Sequence, residues 1–132
     1  KRLLDIEKYQ HLNHVVSTVE GKLKNDVRLK DIFKAVFPGG SITGAPKIAA
    51  MKLIDKFEPT KRNAYTGSFG YIRTGGTMNF NILIRTIFLH DNKITFNVGG
   101  GIVADSDPKG ELEEIRLKAK GMLAAIGLKG LC

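Results

Sequence analysis

The sequence predicts an α+β fold in which antiparallel strands are flanked by helices. Three observations carry this reading. Apolar residues recur at helical spacing between Asp26 and Phe57, the period drops to two between Ala64 and Val103, and helical spacing returns after Pro108. Pro38-Gly39-Gly40, Pro59 and Gly99-Gly100-Gly101 punctuate these stretches.

Taken in order, Asn13 to Gly21 alternates loosely and is rich in β-branched residues, which predicts a short strand. Val27, Ile32, Phe33, Val36 and Phe37 predict a helix over 26–37, ended by Pro38-Gly39-Gly40. Ser41-Ile42-Thr43-Gly44-Ala45 reads as a polar turn. Pro46 suits the first position of the next helix, where its missing N–H costs nothing. Ile48, Ala49, Met51, Leu53, Ile54 and Phe57 carry that helix over 47–57.

Three strands follow, over 65–73, 77–89 and 93–98, with Gly75-Gly76 and Asp91-Asn92 as the turns between them. The middle strand alternates, with Met78, Phe80, Ile82, Ile84 and Phe88 on one face and Asn79, Asn81 and Arg85 on the other. An antiparallel meander with one apolar face is expected. With a two-residue loop at Asp91-Asn92, Arg85 falls opposite Val98, beside the three glycines. A guanidinium next to exposed backbone amides makes a carboxylate or phosphate cradle. The glycines alone are equally the mark of a bulge or tight bend.

The last element is a long helix. Ser106 or Asp107 can cap it and Pro108 can start it. Leu112, Ile115, Ala119, Met122, Leu123 and Ile126 form its apolar stripe, and Glu111, Glu114 and Lys118 share a strip along its border. On spacing alone that strip is a surface Glu–Lys pair. The alternative is a carboxylate edge for a hard cation such as magnesium, which needs only one or two direct carboxylates.

The bulk numbers bound the function. The chain has 132 residues, 42% hydrophobic and 26% charged, which supplies material for a core. No run approaches the length of a membrane span. Lys1 opens the chain and residues 1–10 have no apolar leader core, so a trimmed piece of a longer protein is expected. The lone Cys132 excludes an internal disulfide and fits a reduced cytoplasmic protein. The net charge of +8 is spread along the chain without a compact cluster. A solvated basic surface is therefore expected, with no nucleic acid and no membrane as partner. A basic, non-catalytic binding module stands as the competing class.

The motifs together resemble one family. Phe37-Pro38-Gly39-Gly40-Ser41-Ile42-Thr43-Gly44-Ala45-Pro46-Lys47 is similar to the signature of chorismate-utilising enzymes. Further blocks match in order: His14-Val15-Val16-Ser17, Gly67-Ser68-Phe69-Gly70-Tyr71, Ile84-Arg85-Thr86, Gly99 to Ser106, and Glu111-x-x-Glu114-x-x-x-Lys118. The Ser-Ile-Thr-Gly form and Met78-Asn79-Phe80-Asn81 most resemble the aminodeoxychorismate synthase component I branch. Asn79 and Ile115 depart from many relatives, which have Asp and Thr there.

The resemblance covers residues 1–132. It implies the C-terminal portion of a chorismate-binding domain, part of an α/β sandwich of antiparallel sheets with outer helices. It implies that Arg85, Gly99 and Gly101 hold a substrate carboxylate, with Tyr65 hydrogen-bonding beside it. Ser41 and Thr43 would line the pocket. Glu111 and Glu114 would hold Mg²⁺ as a Lewis acid on the ring carboxylate, with Lys118 near it, and His14 would act as acid/base. Taken singly, His14 is also an ordinary strand histidine and Tyr65 an ordinary core residue.

The implied reaction is Mg-dependent amination of chorismate to 4-amino-4-deoxychorismate, on the way to 4-aminobenzoate and folate. Ammonia would come from a glutamine amidotransferase partner. The alternative is anthranilate synthase component I, which gives anthranilate and pyruvate. A Pro-Ile-x-Gly-Thr motif and a second Glu-x-x-Glu pair are expected before His14 and are absent here. The isolated chain is therefore expected to be catalytically inactive.

Overall fold

The computed structural model describes residues 2–9 and 13–128. The chain divides into two compact units, Lys1–Ala35 and Val36–Cys132. Cys132 lies outside the described residues.

In the first unit, β1 (Asp5–Lys8) pairs antiparallel with β2 (Asn13–Val16), with Glu7 opposite His14. The strand predicted over 13–21 therefore stops at Val16. Its partner ends there because Leu4 takes φ 53, a left-handed turn that leaves the ladder. The partner strand itself escapes sequence reading, because Asp5-Ile6-Glu7-Lys8 holds a single apolar residue. The helix predicted over 26–37 is shorter, α1 (Leu29–Val36). Asp26 at φ 66 cannot be helical. Instead Asp31 accepts from the Arg28 backbone N–H at 3.2 Å and from Arg28 Nε at 3.0 Å, fixing the start three residues later.

The second unit begins with α2 (Gly40–Thr43), a single turn of helix where a polar turn is expected. α3 (Lys47–Phe57) has the predicted bounds, with Pro46 one position earlier, as its N-cap. Next come two separate hairpins, β3 (Ser68–Ile72) with β4 (Met78–Ile82), and β5 (Ile87–His90) with β6 (Lys93–Phe96). The Asp91-Asn92 loop has φ 47 and 59, as a two-residue hairpin loop of the I′ type requires.

The expected three-strand meander is not formed. Its middle strand breaks over 83–86. Leu83 bonds backward, accepting from Thr66 N and donating to Gly67 O, both at 2.9 Å. Arg85 then takes φ 48, which turns the chain out of the sheet before β5 starts. Arg85 therefore stands beyond the β5–β6 ladder, whose last pair is Ile87 with Phe96. Tyr65 also lies outside its predicted strand, in a tight turn where its N–H reaches Arg62 O at 2.9 Å.

α4 (Pro108–Ala125) starts where the sequence predicts. Asp107 accepts from Gly110 N at 2.8 Å, and Pro108 is the first helical residue. At the other end Gly127 has φ 80, its N–H bonds Ala124 O at 3.1 Å, and Leu128 N bonds Leu123 O at 2.9 Å. These are the paired bonds of a Schellman cap. Along the predicted stripe Ala119 and Met122 are buried, and Ile115, Leu123 and Ile126 half-buried, while Leu112 is exposed.

Those two are the buried apolar residues among the described ones, so the core expected from composition is small. Phe57, Phe69 and Leu89 are each at least 70% exposed. Among the described residues no helix is long and apolar enough to cross a membrane.

Candidate active site

A cavity of about 590 Å³ opens in the second unit. It is lined by Ser41 from α2, Tyr65 from the turn before β3, Arg85 from the break before β5, Gly99 and Gly101 from the glycine run, and Lys118 from α4. These are six of the seven residues that the sequence reading assigns to substrate. The break that ends the meander makes this possible, because the left-handed Arg85 leaves the sheet next to the loop after β6.

Thr43 is the exception. It lines a second cavity of about 660 Å³ with Phe37 and Met51, and not the first. The helical turn explains the separation. Two residues on an α-helix lie about 200° apart, so Ser41 and Thr43 point to opposite sides. His14 belongs to the first unit, where its ring meets Tyr9 edge-on with centroids 5.6 Å apart. The Tyr9 phenol donates to Glu7 at 2.9 Å, and that carboxylate holds its pKa above the usual value.

The glycine run is read closely by its neighbours. A Cβ on Gly99 would stand 3.0 Å from the Tyr65 hydroxyl oxygen, and one on Gly100 would stand 2.9 Å from Glu111 Oε2. A Cβ on Gly101 would meet nothing within 4 Å. Close approach therefore explains Gly99 and Gly100. The Lys118 ammonium donates to Gly99 O at 3.1 Å and pairs with Glu114 one turn back. The surface Glu–Lys pair is thus present, and the same lysine also reaches the cavity wall.

Electrostatically the cavity keeps one cation available. Lys118 is paired with Glu114, and Arg62 with Glu58. Among the described residues the Arg85 guanidinium has no carboxylate partner, which leaves its planar donor fork for an anion.

Glu111 and Glu114 supply carboxylate oxygens of the kind a hard cation takes, and neither lines either of the two cavities. They stand one turn apart on α4, and the Ser106 hydroxyl donates to Glu111 Oε1 at 2.6 Å, leaving Oε2 toward Gly100. Oxygen donors of this kind suit magnesium, which keeps several waters and takes few protein ligands. Among the described residues no group of three or more His, Cys, Asp or Glu gathers for a metal. A ligating Glu114 would have to leave Lys118.

Sequence reading missed the wall formed by Glu58 and Arg62, which lines both cavities. Arg62 Nε bonds both Glu58 oxygens, at 3.0 and 2.9 Å, and Nη2 bonds Oε1 at 2.6 Å. These bonds hold the Glu58 carboxyl below its usual pKa and raise that of Arg62. The available signal was the i,i+4 spacing of Glu58 and Arg62 beside Tyr65.

Comparison with known proteins bears on family and fold. The model of a family described as chorismate binding enzyme matches residues 1–124. Aminodeoxychorismate synthase component 1 of Bacillus subtilis is 46% identical over 93% of this chain and 26% of its own length. Anthranilate synthase component 1 of Acinetobacter calcoaceticus is 44% identical over 93% of this chain and 25% of its own length. The crystal structure of anthranilate synthase component I from Streptococcus pneumoniae superposes with a TM-score of 0.83 at 37% identity, over 92% of this chain and 28% of that one. The chain therefore spans about a quarter of the length of the curated relatives it matches, and it has the fold of the corresponding part of such a synthase.

Proposed function

This chain belongs to the chorismate binding enzyme family, and from that premise we propose that it forms the C-terminal portion of an aminodeoxychorismate synthase component I. The reaction is amination of chorismate by ammonia to 4-amino-4-deoxychorismate. The carrying observation is Arg85, a guanidinium without a carboxylate partner among the described residues, in one cavity with Gly99, Tyr65 and Lys118.

Chorismate is a dianion with two carboxylates on or beside a cyclohexadiene ring. Arg85 holds one carboxylate by its fork of donors, helped by backbone amides of the Gly99–Gly101 run. The Tyr65 hydroxyl, already against Gly99, hydrogen-bonds beside it. Ser41 faces the same space and Thr43 supports it from the adjoining cavity. Glu111 and Glu114 would hold Mg²⁺, which supplies Lewis-acid stabilisation of the ring carboxylate when bound. Lys118 limits the negative charge of that carboxylate pair. His14 serves as acid/base for the departing hydroxyl, on the strength of its motif. Ammonia comes from a glutamine amidotransferase partner, and the reaction is cytoplasmic.

The branch rests on the Ser41-Ile42-Thr43-Gly44 form and on Met78-Asn79-Phe80-Asn81. Anthranilate synthase component I is the second reading, supported by a relative of that name at nearly the same identity. Incubating the complete protein with chorismate, ammonium and Mg²⁺, then separating the products, decides between them. The expected product is 4-amino-4-deoxychorismate without pyruvate. Anthranilate with pyruvate selects the second reading, and unconsumed chorismate with salt-sensitive RNA or DNA binding overturns both.

A further inference from the structure

The side chains between the two cavities form a chain of contacts that ends on Tyr65. Glu58 holds the Arg62 guanidinium by three hydrogen bonds of 2.6 to 3.0 Å. The remaining donor, Arg62 Nη1, bonds the Thr66 hydroxyl at 3.3 Å. That hydroxyl donates to the Tyr65 carbonyl at 2.5 Å. The guanidinium carbon also stands 5.9 Å from the centroid of the Tyr65 ring, within cation–π range. Backbone and ring of Tyr65 are thus held by the same cation. The far end of that ring is the hydroxyl that sits against Gly99.

Three features separate this arrangement from an ordinary surface ion pair. The Arg62 side chain is only 23% exposed, whereas Arg28 in a comparable i,i+3 pair is 69% exposed. The pair is bidentate, the geometry that makes Arg–carboxylate contacts directional. Thr66 takes φ 63 and Asn63 φ 52, so the turn carrying Tyr65 uses costly backbone conformations that need outside support.

We propose that Arg62, clamped by Glu58, is a positioning residue that sets the Tyr65 ring and so the affinity of the carboxylate end of the cavity. Arg62 acts on the ring rather than on the ligand, since each of its guanidinium nitrogens already bonds Glu58 or Thr66. Lysine cannot replace it, since an ammonium has no planar fork to bond Glu58 and Thr66 together. This inference rests on the proposed role of Tyr65 in binding chorismate.

The test is a cycle of Arg62→Gln and Tyr65→Phe in the complete protein, read as KM and kcat for chorismate. Arg62→Gln should raise KM about tenfold and leave kcat within about twofold, since Tyr65 binds ground and transition states alike. The double variant should be no worse than Tyr65→Phe alone, because Arg62 acts through that hydroxyl. Glu58→Gln should reproduce the KM effect, and Arg62→Lys should not restore it. Penalties that multiply in the double variant overturn the proposal, as does a fall in kcat matching the rise in KM. Should Arg62→Gln not fold, Glu58→Gln combined with Tyr65→Phe gives the same cycle. A readout free of chorismate is the ¹³C spectrum of the labelled Tyr65 ring without ligand. Arg62→Gln should shift and broaden it, and an unchanged spectrum refutes the clamp even if chorismate proves not to be the substrate.

Discussion

Lys118 on α4 donates to the carbonyl of Gly99 at 3.1 Å across nineteen residues of chain. This bond ties the helix that carries Glu111 and Glu114 to the glycine run beside Arg85. The same ammonium pairs with Glu114, so one side chain touches both the carboxylate strip and the anion cradle.

Lys118→Met should therefore act on function more than on stability. Glu114 is 53% exposed, and ion pairs of that exposure contribute about 0–1 kcal/mol. The Gly99 carbonyl can turn to water. Thermal unfolding should move little, while kcat/KM for chorismate should fall about tenfold as the cradle loses its anchor. Steady-state kinetics beside a melting curve checks this, and wild-type kcat/KM would remove Lys118 from the site.

Gly100→Ala and Gly101→Ala should behave differently. A Cβ at Gly100 would press on Glu111 Oε2 at 2.9 Å, and the carboxylate must swing away. At Gly101 the space is open. Magnesium titration of chorismate turnover should show half-saturation raised about tenfold for Gly100→Ala and unchanged for Gly101→Ala, in line with the sensitivity of metal sites to ligand orientation. Equal responses would show that Glu111 does not depend on this approach.

Acid should loosen the Glu58–Arg62 wall. Hydrogen bonds from Arg62 place the folded pKa of Glu58 below its ordinary value of 4.5. A depressed carboxylate stabilises the fold above the unfolded value and loses that contribution as pH falls through the folded value. Wild type should thus be more stable than Glu58→Gln at pH 6, and the gap should narrow as pH falls below about 4.5. Thermal melts of both proteins between pH 2 and 6 measure it, and a gap that stays constant or widens as pH falls contradicts the sign.

Which parts of this architecture are legible in the sequence follows from the range of the forces involved. α3, the Asp91-Asn92 loop and the start of α4 depend on local chemistry, namely periodicity, left-handed Asx residues, Asp107 and Pro108, and the structure has them where expected. The grouping of Ser41, Tyr65, Arg85, Gly99 and Lys118 came from motifs read together. The rest depends on contacts between distant residues. Ile82 and Ile84 continue the alternation across the break at 83–86, which bonds from Leu83 to Thr66 and Gly67 impose. Thr86 and Ile87 reverse the apolar phase there and were the available warning. One turn of helix in α2 parts Thr43 from Ser41, and four residues are too short for periodicity to reveal. Arg62 matters only once the turn at 63–66 returns Tyr65 to it.

Asp107 offers the last test, because it couples a helix cap to the carboxylate strip. Its side chain accepts from Gly110 N at 2.8 Å, and its own carbonyl accepts from Glu111 N at 2.9 Å. Replacing an Asp cap by Ala costs about 1 kcal/mol. The loss should concentrate in the first turn, since the Schellman cap at Gly127 and the buried Ala119 and Met122 hold the other end. Glu111 lies in that first turn and Glu114 on the next, so fraying should release Glu111 from Ser106 while the Glu114–Lys118 pair survives. Asp107→Ala should accordingly speed amide exchange at Gly110 and Glu111 far more than at Ala119, and weaken magnesium about tenfold. Asp107→Asn, an equally good cap, should restore both. Uniform acceleration along α4 would mean that the helix opens as one unit, and the cap would then have no particular hold on Glu111.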